Sequence, residues 1–278
     1  MTLLAPAKLN LCLYLGERRS DGRHELASLF CPLDLADRLT VSPADRDRVV
    51  CPGLAGPNLA EAALAELREA GWSRPPVEVR IDKRIPVAAG LGGGSADAAA
   101  VLRLAGDEVP GTQEIAGRLG ADVPSQHEPR FSLVRGAGEV VEPLPAPASF
   151  GVVLIPADQG LSTAEVYAEA DRRGLGRDAG ELELIASRLR DAAREGASPI
   201  EYGDLLVNDL QSAAASLRPE IGYAIGALQA AGSARALITG SGPTAVGLFA
   251  TGADAERAVS LLRPRFPSVI VASPREAS

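Results

Sequence analysis

The 278-residue sequence is poor in cysteine, histidine and aromatic residues, and it has no long apolar run. Its three cysteines, Cys12, Cys31 and Cys51, show no CxxC spacing, which argues against a disulfide framework or a zinc site and predicts buried or inert thiols. His24 and His127 are too few and too far apart for a histidine-based metal site. No segment approaches the roughly 18–20 apolar residues of a membrane helix, and the first residues do not resemble a signal peptide. We therefore expect a cytoplasmic protein without a membrane partner.

Lysine is also rare, although the sequence contains 28 basic residues. Only Lys8 and Lys83 are lysines, which suggests that these two positions need a compact ammonium group. The formal net charge is −8 at pH 7. This charge disfavours nucleic acid as a partner, because binding a phosphate backbone requires a basic face. A small anionic metabolite is compatible with it, since a few local cations can focus the field in a cleft.

Hydrophobic periodicity predicts a mixture of helices and strands. We expect an α+β protein, because antiparallel strands and helices occur in separate segments. Strict alternation over residues 77–82 indicates a half-exposed strand. The Pro- and Ala-rich segment 143–148 suggests a boundary between two domains, residues 1–147 and 148–278. The predicted helices cover 58–70, 96–104, 181–194, 202–217 and 221–231. Besides 77–82, the predicted strands include 38–42, 152–155, 234–238 and 244–249.

The strongest signal is a glycine-rich loop at residues 86–96. Four glycines within five positions let the backbone approach a ligand without interference from Cβ atoms. Ser95 is predicted to be the N-cap of an alanine-rich helix, whose free N–H groups and positive dipole end would bind an anion such as a polyphosphate. The predicted cofactor-binding residues are Pro86, Val87, Ala88, Ala89, Gly90, Leu91, Gly92, Gly93, Gly94, Ser95 and Ala96.

Two other phosphate-binding loops do not fit this segment. A P-loop needs a lysine directly after its glycines, and none is present. A dinucleotide-binding fingerprint needs a third glycine where Ser95 stands, and it follows a buried strand rather than a half-exposed one. The alternative is a flexible glycine turn that binds no ligand. We interpret the loop instead as a functional phosphate-binding loop.

The loop resembles the Pro-x-x-x-Gly-Leu-Gly-small-small-Ser motif of the GHMP kinases. Further segments are similar to this family and keep its order along the chain: residues 5–11 and 19–25, residues 120–124 and 136–139, and residues 239–244. The triple glycine followed by Ser-x-Asp-Ala-Ala resembles the branch whose substrate is a cytidine diphosphate-linked methylerythritol. The resemblance implies a two-domain fold with an N-terminal domain like the second domain of ribosomal protein S5 and a ferredoxin-like C-terminal domain.

The resemblance also implies transfer of the γ-phosphate of ATP, with Mg²⁺, to a hydroxyl of a small molecule. Asp122 would be the base and Lys8 its partner, and a lysine there could also favour the developing alkoxide. Without the resemblance, a turn aspartate and a solvated surface lysine would be the preferred interpretation of these two residues. No protein ligand for Mg²⁺ is assigned, because this ion binds largely through water and substrate phosphates. The implied substrate-binding residues are Asn10, Arg23, His24, Thr163 and Tyr167. For Tyr167, ordinary core packing is the alternative that the sequence leaves open.

Two segments depart from the family pattern. Arg23 stands where the family has a tyrosine, although a guanidinium plane can also stack on a base. Residues 125–130 are polar where the family has a hydrophobic pair, so we expect either a rebuilt, exposed loop or a changed pocket, with His127 exposed. Two alternatives stay open: a GHMP kinase for another small alcohol such as homoserine or mevalonate, and a non-catalytic nucleotide-binding protein of this fold. We expect a monomer or a weak homodimer.

Overall fold

The computed structural model describes residues 1–54 and 56–275. The chain forms two compact units. Unit 1 comprises Met1–Lys8, Leu35–Val87 and Gly92–Pro129, and unit 2 comprises Leu9–Asp34, Ala88–Leu91 and Arg130–Ser278. The division into domains at residues 147 and 148 stays a prediction. None of the helices in the described part of the chain is long and apolar enough to cross a membrane.

The described residues form strands and helices in alternating groups along the chain. The strands are β1 (Thr2–Asn10), β2 (Tyr14–Arg18), β3 (His24–Pro43), β4 (Arg48–Val50), β5 (Val77–Asp82), β6 (Ser132–Gly136), β7 (Val140–Pro143), β8 (Gly151–Ile155), β9 (Arg235–Ile238), β10 (Ala245–Phe249) and β11 (Ile270–Ala272). The helices are α1 (Leu59–Glu69), α2 (Gly93–Leu102), α3 (Thr112–Leu119), α4 (Val123–His127), α5 (Thr163–Arg172), α6 (Ala179–Ala192), α7 (Gln211–Leu217), α8 (Glu220–Ala230) and α9 (Gly252–Leu262). Short 3₁₀ helices cover Arg103–Glu108, Arg194–Gly196 and Gly203–Leu205.

In unit 1, the second half of β3 pairs with β5, and β5 pairs on its other side with β4. The β3–β5 pairing is antiparallel, with Arg38 opposite Asp82 and Pro43 opposite Val77, and β4 runs parallel to β5. Val79 and Ile81 of β5 are buried while the residues between and after them are exposed. This alternation confirms the half-exposed strand predicted for residues 77–82.

Helix α1 shows how the local sequence determines the start and the buried face of a helix. The side chain of Asn58 accepts a hydrogen bond from the backbone N–H of Ala60 at 2.9 Å, which caps the helix. Apolar side chains recur at helical spacing and pack into the core of unit 1 with those of α2 and α3. The prediction of a helix over 58–70 is therefore confirmed. The buried residues of α1 are Ala60, Ala63, Leu64 and Leu67.

Unit 2 contains a four-stranded antiparallel sheet in the order β11–β8–β10–β9. The hairpin predicted around residues 239–243 is confirmed, because Ala245 of β10 lies opposite Ile238 of β9. Buried side chains from β8, β10, α5 and α7 to α9 form the core of this unit. The first half of β3 pairs with β2 and β6, and β6 pairs with β7.

The predicted helix over 202–217 is wrong in its first half. A 3₁₀ turn covers Gly203–Leu205, and α7 begins only at Gln211. The intervening backbone instead pairs with Leu13, which donates to the carbonyl of Val207 at 2.8 Å and accepts from the N–H of Asp209 at 2.9 Å. These long-range hydrogen bonds hold residues 207–209 in an extended conformation despite their helical apolar spacing.

The burial of the three cysteines can be compared with the prediction of buried or inert thiols. Cys12 and Cys31 are fully buried, and burial raises the pKa of each thiol to about 12. Cys51 is half-buried, and burial also raises its pKa. Thiols with raised pKa values carry little thiolate at neutral pH and are poor nucleophiles. This agrees with the prediction of inert thiols.

Candidate active site

The glycine-rich loop leads directly into α2, but its cap differs from the predicted one. Gly92 adopts a left-handed conformation (φ 70°) and is the N-cap of the helix. The carbonyl of Gly92 accepts from the N–H of Ala96 at 2.8 Å. The prediction that Ser95 caps this helix is wrong, because glycine permits the left-handed backbone and the helix begins three residues earlier. The N–H groups of Gly93, Gly94 and Ser95 precede the first helical hydrogen bond and suit an anion.

Lys8 and Asp122 lie together in unit 1. The Nζ atom of Lys8 is 3.3 Å from Oδ2 of Asp122. The lysine is 6% exposed and the aspartate 32%, so the ammonium group is shielded while the carboxyl reaches solvent. A Cβ added to Gly92 would lie 2.8 Å from Cγ of Lys8. The lysine stem therefore packs against the start of α2, and the ion pair lies beside the predicted phosphate-binding turn.

The polar segment after Asp122 is part of the folded framework and not an exposed loop. Helix α4 buries Ser125 and Gln126. The amide of Gln126 donates to the carbonyl of Pro6 at 3.1 Å, and the hydroxyl of Ser125 donates to the carbonyl of Asp122 at 2.9 Å. These bonds connect Asp122 to β1, the strand that carries Lys8. The expectation of an exposed loop over 125–130 is therefore wrong for its first residues.

His127 is also placed differently from the expectation. It ends α4 and is half-buried, and its Nε2 atom is buried with no hydrogen-bond partner among the described residues. Burial lowers the pKa of His127, and the charge of Arg103 lowers it further. The guanidinium of Arg103 donates to the carbonyl of Gln126 at 2.7 Å, which fixes the end of α4. The burial of Gln126 escaped the sequence analysis because its partner, Pro6, is 120 residues away in the chain.

Lys83 forms a second buried ion cluster that the sequence analysis missed. Its ammonium donates to Oδ2 of Asp97 at 2.8 Å and also to Asp37. Burial raises the pKa of Asp97 to about 7, with Lys83 opposing and Asp37 adding to the shift. Burial lowers the pKa of Lys83, but attraction to Asp97 and hydrogen bonds to both carboxylates outweigh it, so the pKa is raised.

The two lysines share one location in unit 1, the start of α2. A Cβ on Gly93 would lie 3.2 Å from Nζ of Lys83, just as a Cβ on Gly92 would contact Lys8. The rarity of lysine singled out Lys83 in the sequence, but it did not identify the two aspartates that pair with it. In the described residues Lys8 and Lys83 are the cations that contact these glycines.

In unit 2, the glycine-rich loop contacts the turn at residues 239–243. A Cβ on Gly90 would lie 2.5 Å from the carbonyl oxygen of Thr239 and 2.9 Å from that of Gly242. Two predicted substrate-binding residues reach the same turn. The backbone N–H of Asn10 donates to Oγ1 of Thr239 at 3.0 Å, and the hydroxyls of Thr163 and Ser241 are 2.9 Å apart. The turn thus brings Asn10 and Thr163 to the loop residues of unit 2.

Asn208 holds this turn in place, a role that the sequence did not reveal. Its side-chain amide donates to the carbonyls of Ile238 at 3.0 Å and Gly240 at 2.9 Å. Its Oδ1 atom accepts from the N–H of Leu210 at 3.0 Å. All of these groups are buried, so the amide satisfies three backbone groups that water does not reach.

The structure brings together two further predicted substrate-binding residues, His24 and Tyr167. Their ring centroids are 5.2 Å apart with an interplanar angle of 44°. The imidazole Nε2 of His24 is 2.7 Å from Oδ1 of Asp171, one turn further along α5. Arg23 is exposed, and its guanidinium pairs with Asp21 at 3.0 Å. Asp171 was not predicted.

The segment Gly136-Ala137-Gly138-Glu139 connects to the loop that precedes His24. Oε2 of Glu139 accepts from the N–H of Ala137 at 2.7 Å, and Oε1 accepts from the guanidinium of Arg19 at 2.5 Å. The backbone N–H of Arg19 donates to the carbonyl of Arg23 at 2.7 Å, which closes the loop. Glu139 therefore anchors the residues that lead into His24.

Within residues 1–54 and 56–275, no group of three or more histidine, cysteine, aspartate or glutamate side chains is arranged to hold a metal ion. The carboxylate of Asp122 pairs with Lys8, and that of Asp97 pairs with Lys83. The residues present therefore do not form a protein cage for Mg²⁺.

Comparisons with known proteins agree with this geometry. The model of the GHMP kinases N terminal domain matches residues 58–123, and the model of the GHMP kinases C terminal matches residues 182–266. The chain belongs to the GHMP kinases. This confirms the predicted α+β GHMP kinase fold.

Similar proteins define the group within the family. A 4-diphosphocytidyl-2-C-methyl-D-erythritol kinase of Kineococcus radiotolerans is 38% identical over 96% of this chain and 86% of its own length. One of Streptomyces avermitilis is 40% identical over 92% of this chain and 90% of its own length. A crystal structure of 4-(cytidine 5'-diphospho)-2C-methyl-D-erythritol kinase has a TM-score of 0.78, 35% identity and 98% coverage of both chains. Within the GHMP kinases, the chain belongs to the family of 4-diphosphocytidyl-2-C-methyl-D-erythritol kinases.

Proposed function

We propose that this protein transfers the γ-phosphate of ATP to the 2-hydroxyl of 4-diphosphocytidyl-2-C-methyl-D-erythritol, a step of the non-mevalonate route to isoprenoid precursors. The observation that carries the proposal is the ion pair between Lys8 and Asp122 at the start of α2. It places a cation, and a carboxylate that can accept a proton, beside the first N–H groups of α2, which have no partner within the helix. Phosphoryl transfer needs these elements, since it depends on positioning and charge stabilisation.

In the proposed mechanism Asp122 accepts the proton of the acceptor hydroxyl as its oxygen attacks the γ-phosphorus. The bond from the γ-phosphorus to the bridging oxygen breaks, and ADP leaves. The ammonium of Lys8, 3.3 Å from the carboxylate, stabilises the negative charge on the attacking oxygen. The N–H groups of Gly93, Gly94 and Ser95 hold phosphate oxygens at the positive end of the α2 dipole. Mg²⁺ bound with ATP would offset the negative charge of the phosphates, and none of the residues described here is assigned as its ligand.

The cytidine portion of the acceptor is recognised in unit 2. His24 and Tyr167 supply a polar group and an aromatic ring close together, which suits a nucleobase. Arg23 replaces an aromatic residue of the family and can stack through its guanidinium plane. Asn10 and Thr163 make hydrogen bonds to the 239–243 turn, and we propose that they contribute to substrate binding by holding this turn in position. The names of the similar proteins support this acceptor over homoserine or mevalonate.

The cellular setting follows from the chemistry of the reaction. ATP and a cytidine diphosphate-linked polyol are small, charged metabolites, so we place the reaction in the cytoplasm. We propose a monomer or a weak homodimer, without nucleic acid or a membrane as a partner. Sedimentation at micromolar and millimolar protein concentration tests the oligomeric state.

An acceptor panel tests the proposed function. Purified protein with ATP and Mg²⁺ is given 4-diphosphocytidyl-2-C-methyl-D-erythritol, homoserine, mevalonate or no acceptor, and ADP formation is followed. We expect ADP only with the cytidine acceptor. Turnover with homoserine or mevalonate would show that the pocket is built for another alcohol. ATP binding without turnover on any acceptor would favour a non-catalytic nucleotide-binding protein.

A further inference from the structure

His24 is held from two sides in unit 2. Its imidazole is 6% exposed, and its Nε2 atom lies 2.7 Å from Oδ1 of Asp171, whose side chain is 40% exposed. The ring of Tyr167 lies 5.2 Å away, tilted by 44°. His24 begins β3, whereas Tyr167 and Asp171 lie one turn apart on α5. A hydrogen bond to a carboxylate and contact with an aromatic ring therefore restrict the position and rotation of the imidazole.

The carboxylate also determines which nitrogen of the imidazole carries the proton. An ionised aspartate only accepts hydrogen bonds, so the Nε2 atom of His24 must donate to Asp171. A neutral imidazole has one donor and one acceptor nitrogen. With the proton on Nε2, Nδ1 is an acceptor.

We propose that Asp171 is a positioning residue that holds the proton of His24 on Nε2, so that Nδ1 accepts from the amino group of cytosine and disfavours uracil. This inference rests on the proposed function, in which the acceptor presents its base to His24. Cytosine offers the N4 amino donor where uracil, like thymine, offers the O4 acceptor. Two acceptors facing each other in a buried site leave both unpaired, which is how a polar site rejects an analogue.

The tautomer of His24 can be measured directly. His24 and His127 are the only histidines in the sequence, so the nitrogen-15 NMR spectrum contains two imidazoles, and His127→Gln assigns them. We expect the His24 ring of the wild type to carry its proton on Nε2 at neutral pH. The variant Asp171→Ala should show a mixture of both tautomers. A proton on Nδ1 in the wild type would overturn the inference, and this result does not depend on the folding of any variant at position 171.

Base selectivity provides the second test. Binding of CDP and of UDP is measured by calorimetry while a non-hydrolysable ATP analogue saturates the ATP site. The wild type should prefer CDP by about 10- to 100-fold, as expected for one discriminating hydrogen bond. Asp171→Ala should weaken CDP binding and reduce this preference to about threefold or less, with the KM for ATP and the melting temperature unchanged. The matched control is Glu165→Ala, an exposed position on the same helix, which should keep the wild-type preference.

The outcomes separate this inference from the proposed function. An unchanged CDP preference in folded Asp171→Ala, with normal turnover of the cytidine acceptor by the wild type, contradicts the inference alone. A wild type that prefers CDP through the Nε2 tautomer but phosphorylates no acceptor contradicts the proposed function and supports the inference.

Discussion

The ammonium of Lys8 lies 3.3 Å from the carboxylate of Asp122, with its stem packed against Gly92 at the first turn of α2. The ion pair therefore lies beside the proposed phosphate-binding turn. Because Lys8 is buried while Asp122 reaches solvent, the pair is screened less than a fully exposed ion pair. The same contacts that hold the fold at this point also position the proposed base and its cation.

Removing either member of this pair should abolish most of the catalytic activity. We expect Asp122→Asn and Lys8→Met each to reduce kcat by about 10²–10⁴-fold, since a positioned proton acceptor contributes about that much. The double variant should be little worse than either single one, because residues that act as a unit are not additive. Steady-state kinetics on all three proteins check this. Asp107→Asn, at an exposed position of unit 1, is the control, and near-normal kcat in Asp122→Asn would contradict the assignment.

Two glycines of the same loop should respond differently to alanine. Gly90 has a φ of +75°, and a Cβ there would lie 2.5 Å from the carbonyl oxygen of Thr239. A left-handed non-glycine backbone alone costs about 1–3 kcal/mol, so Gly90→Ala should lower the free energy of unfolding by at least that amount. At Gly94 the nearest atom to a Cβ is 3.8 Å away, so alanine should be neutral or stabilising by up to about 1 kcal/mol. Urea unfolding measures the free energy of unfolding of both variants. An equal loss of stability in the two would refute this explanation.

The buried cluster around Lys83 predicts a pH dependence of stability. Burial raises the pKa of Asp97 from 3.8 to about 7, so the folded chain binds a proton that the unfolded chain releases between these values. The contribution of Asp97 to the free energy of unfolding is therefore present below about pH 4 and lost as the pH rises to about 7. The raised pKa of Lys83 adds a contribution that is constant over this window, because it is lost only as the pH rises above the ordinary lysine value of 10.5.

Asp97→Asn removes this titration but keeps an oxygen for Lys83. As the pH rises from about 4 to about 7, the wild type should lose free energy of unfolding relative to the variant. Urea unfolding at a series of pH values measures the difference. Parallel stability curves for the two proteins would show that Asp97 titrates normally. Asp107→Asn again serves as the control and should follow the wild type.

The turn at 239–243 should depend on Asn208. Asn208→Ala would leave the carbonyls of Ile238 and Gly240 and the N–H of Leu210 without their partner. Each buried unpaired group costs about 1–3 kcal/mol, so we expect a total loss of about 2–4 kcal/mol after partial relaxation. Asn208→Asp should be similarly harmful, because a carboxylate would face two carbonyl oxygens. Denaturant unfolding checks both, and a loss below about 0.5 kcal/mol would mean that the turn is held by other contacts.

The sequence predicted the features whose signal lies within a few neighbouring residues. The strand at 77–82, helix α1 with its Asn58 cap, and the glycine-rich loop all belong to this class, since periodicity and cap chemistry are local. The N-cap of α2 was missed because each of the neighbouring glycines can adopt a left-handed conformation, and the sequence does not show that Gly92 does.

Partners that are distant in the chain could not be predicted in the same way. Lys83 joins Asp37 across 46 residues, and His24 joins Asp171 across 147, so no periodic pattern links them. The polarity of residues 125–130 suggested either an exposed loop or a changed pocket, and it could not decide between them. The structure buries Ser125 and Gln126 because backbone carbonyls are available there as hydrogen-bond partners.

The most direct test of the central claim is the phosphorus-31 NMR spectrum of the product formed from ATP, Mg²⁺ and 4-diphosphocytidyl-2-C-methyl-D-erythritol. The 2-hydroxyl of this acceptor is on a carbon that carries a methyl group and no hydrogen. We predict one new phosphomonoester resonance, equal in amount to the ADP formed and without three-bond coupling to a proton. A new resonance that is coupled to a proton, or ADP accompanied only by inorganic phosphate, would contradict the account.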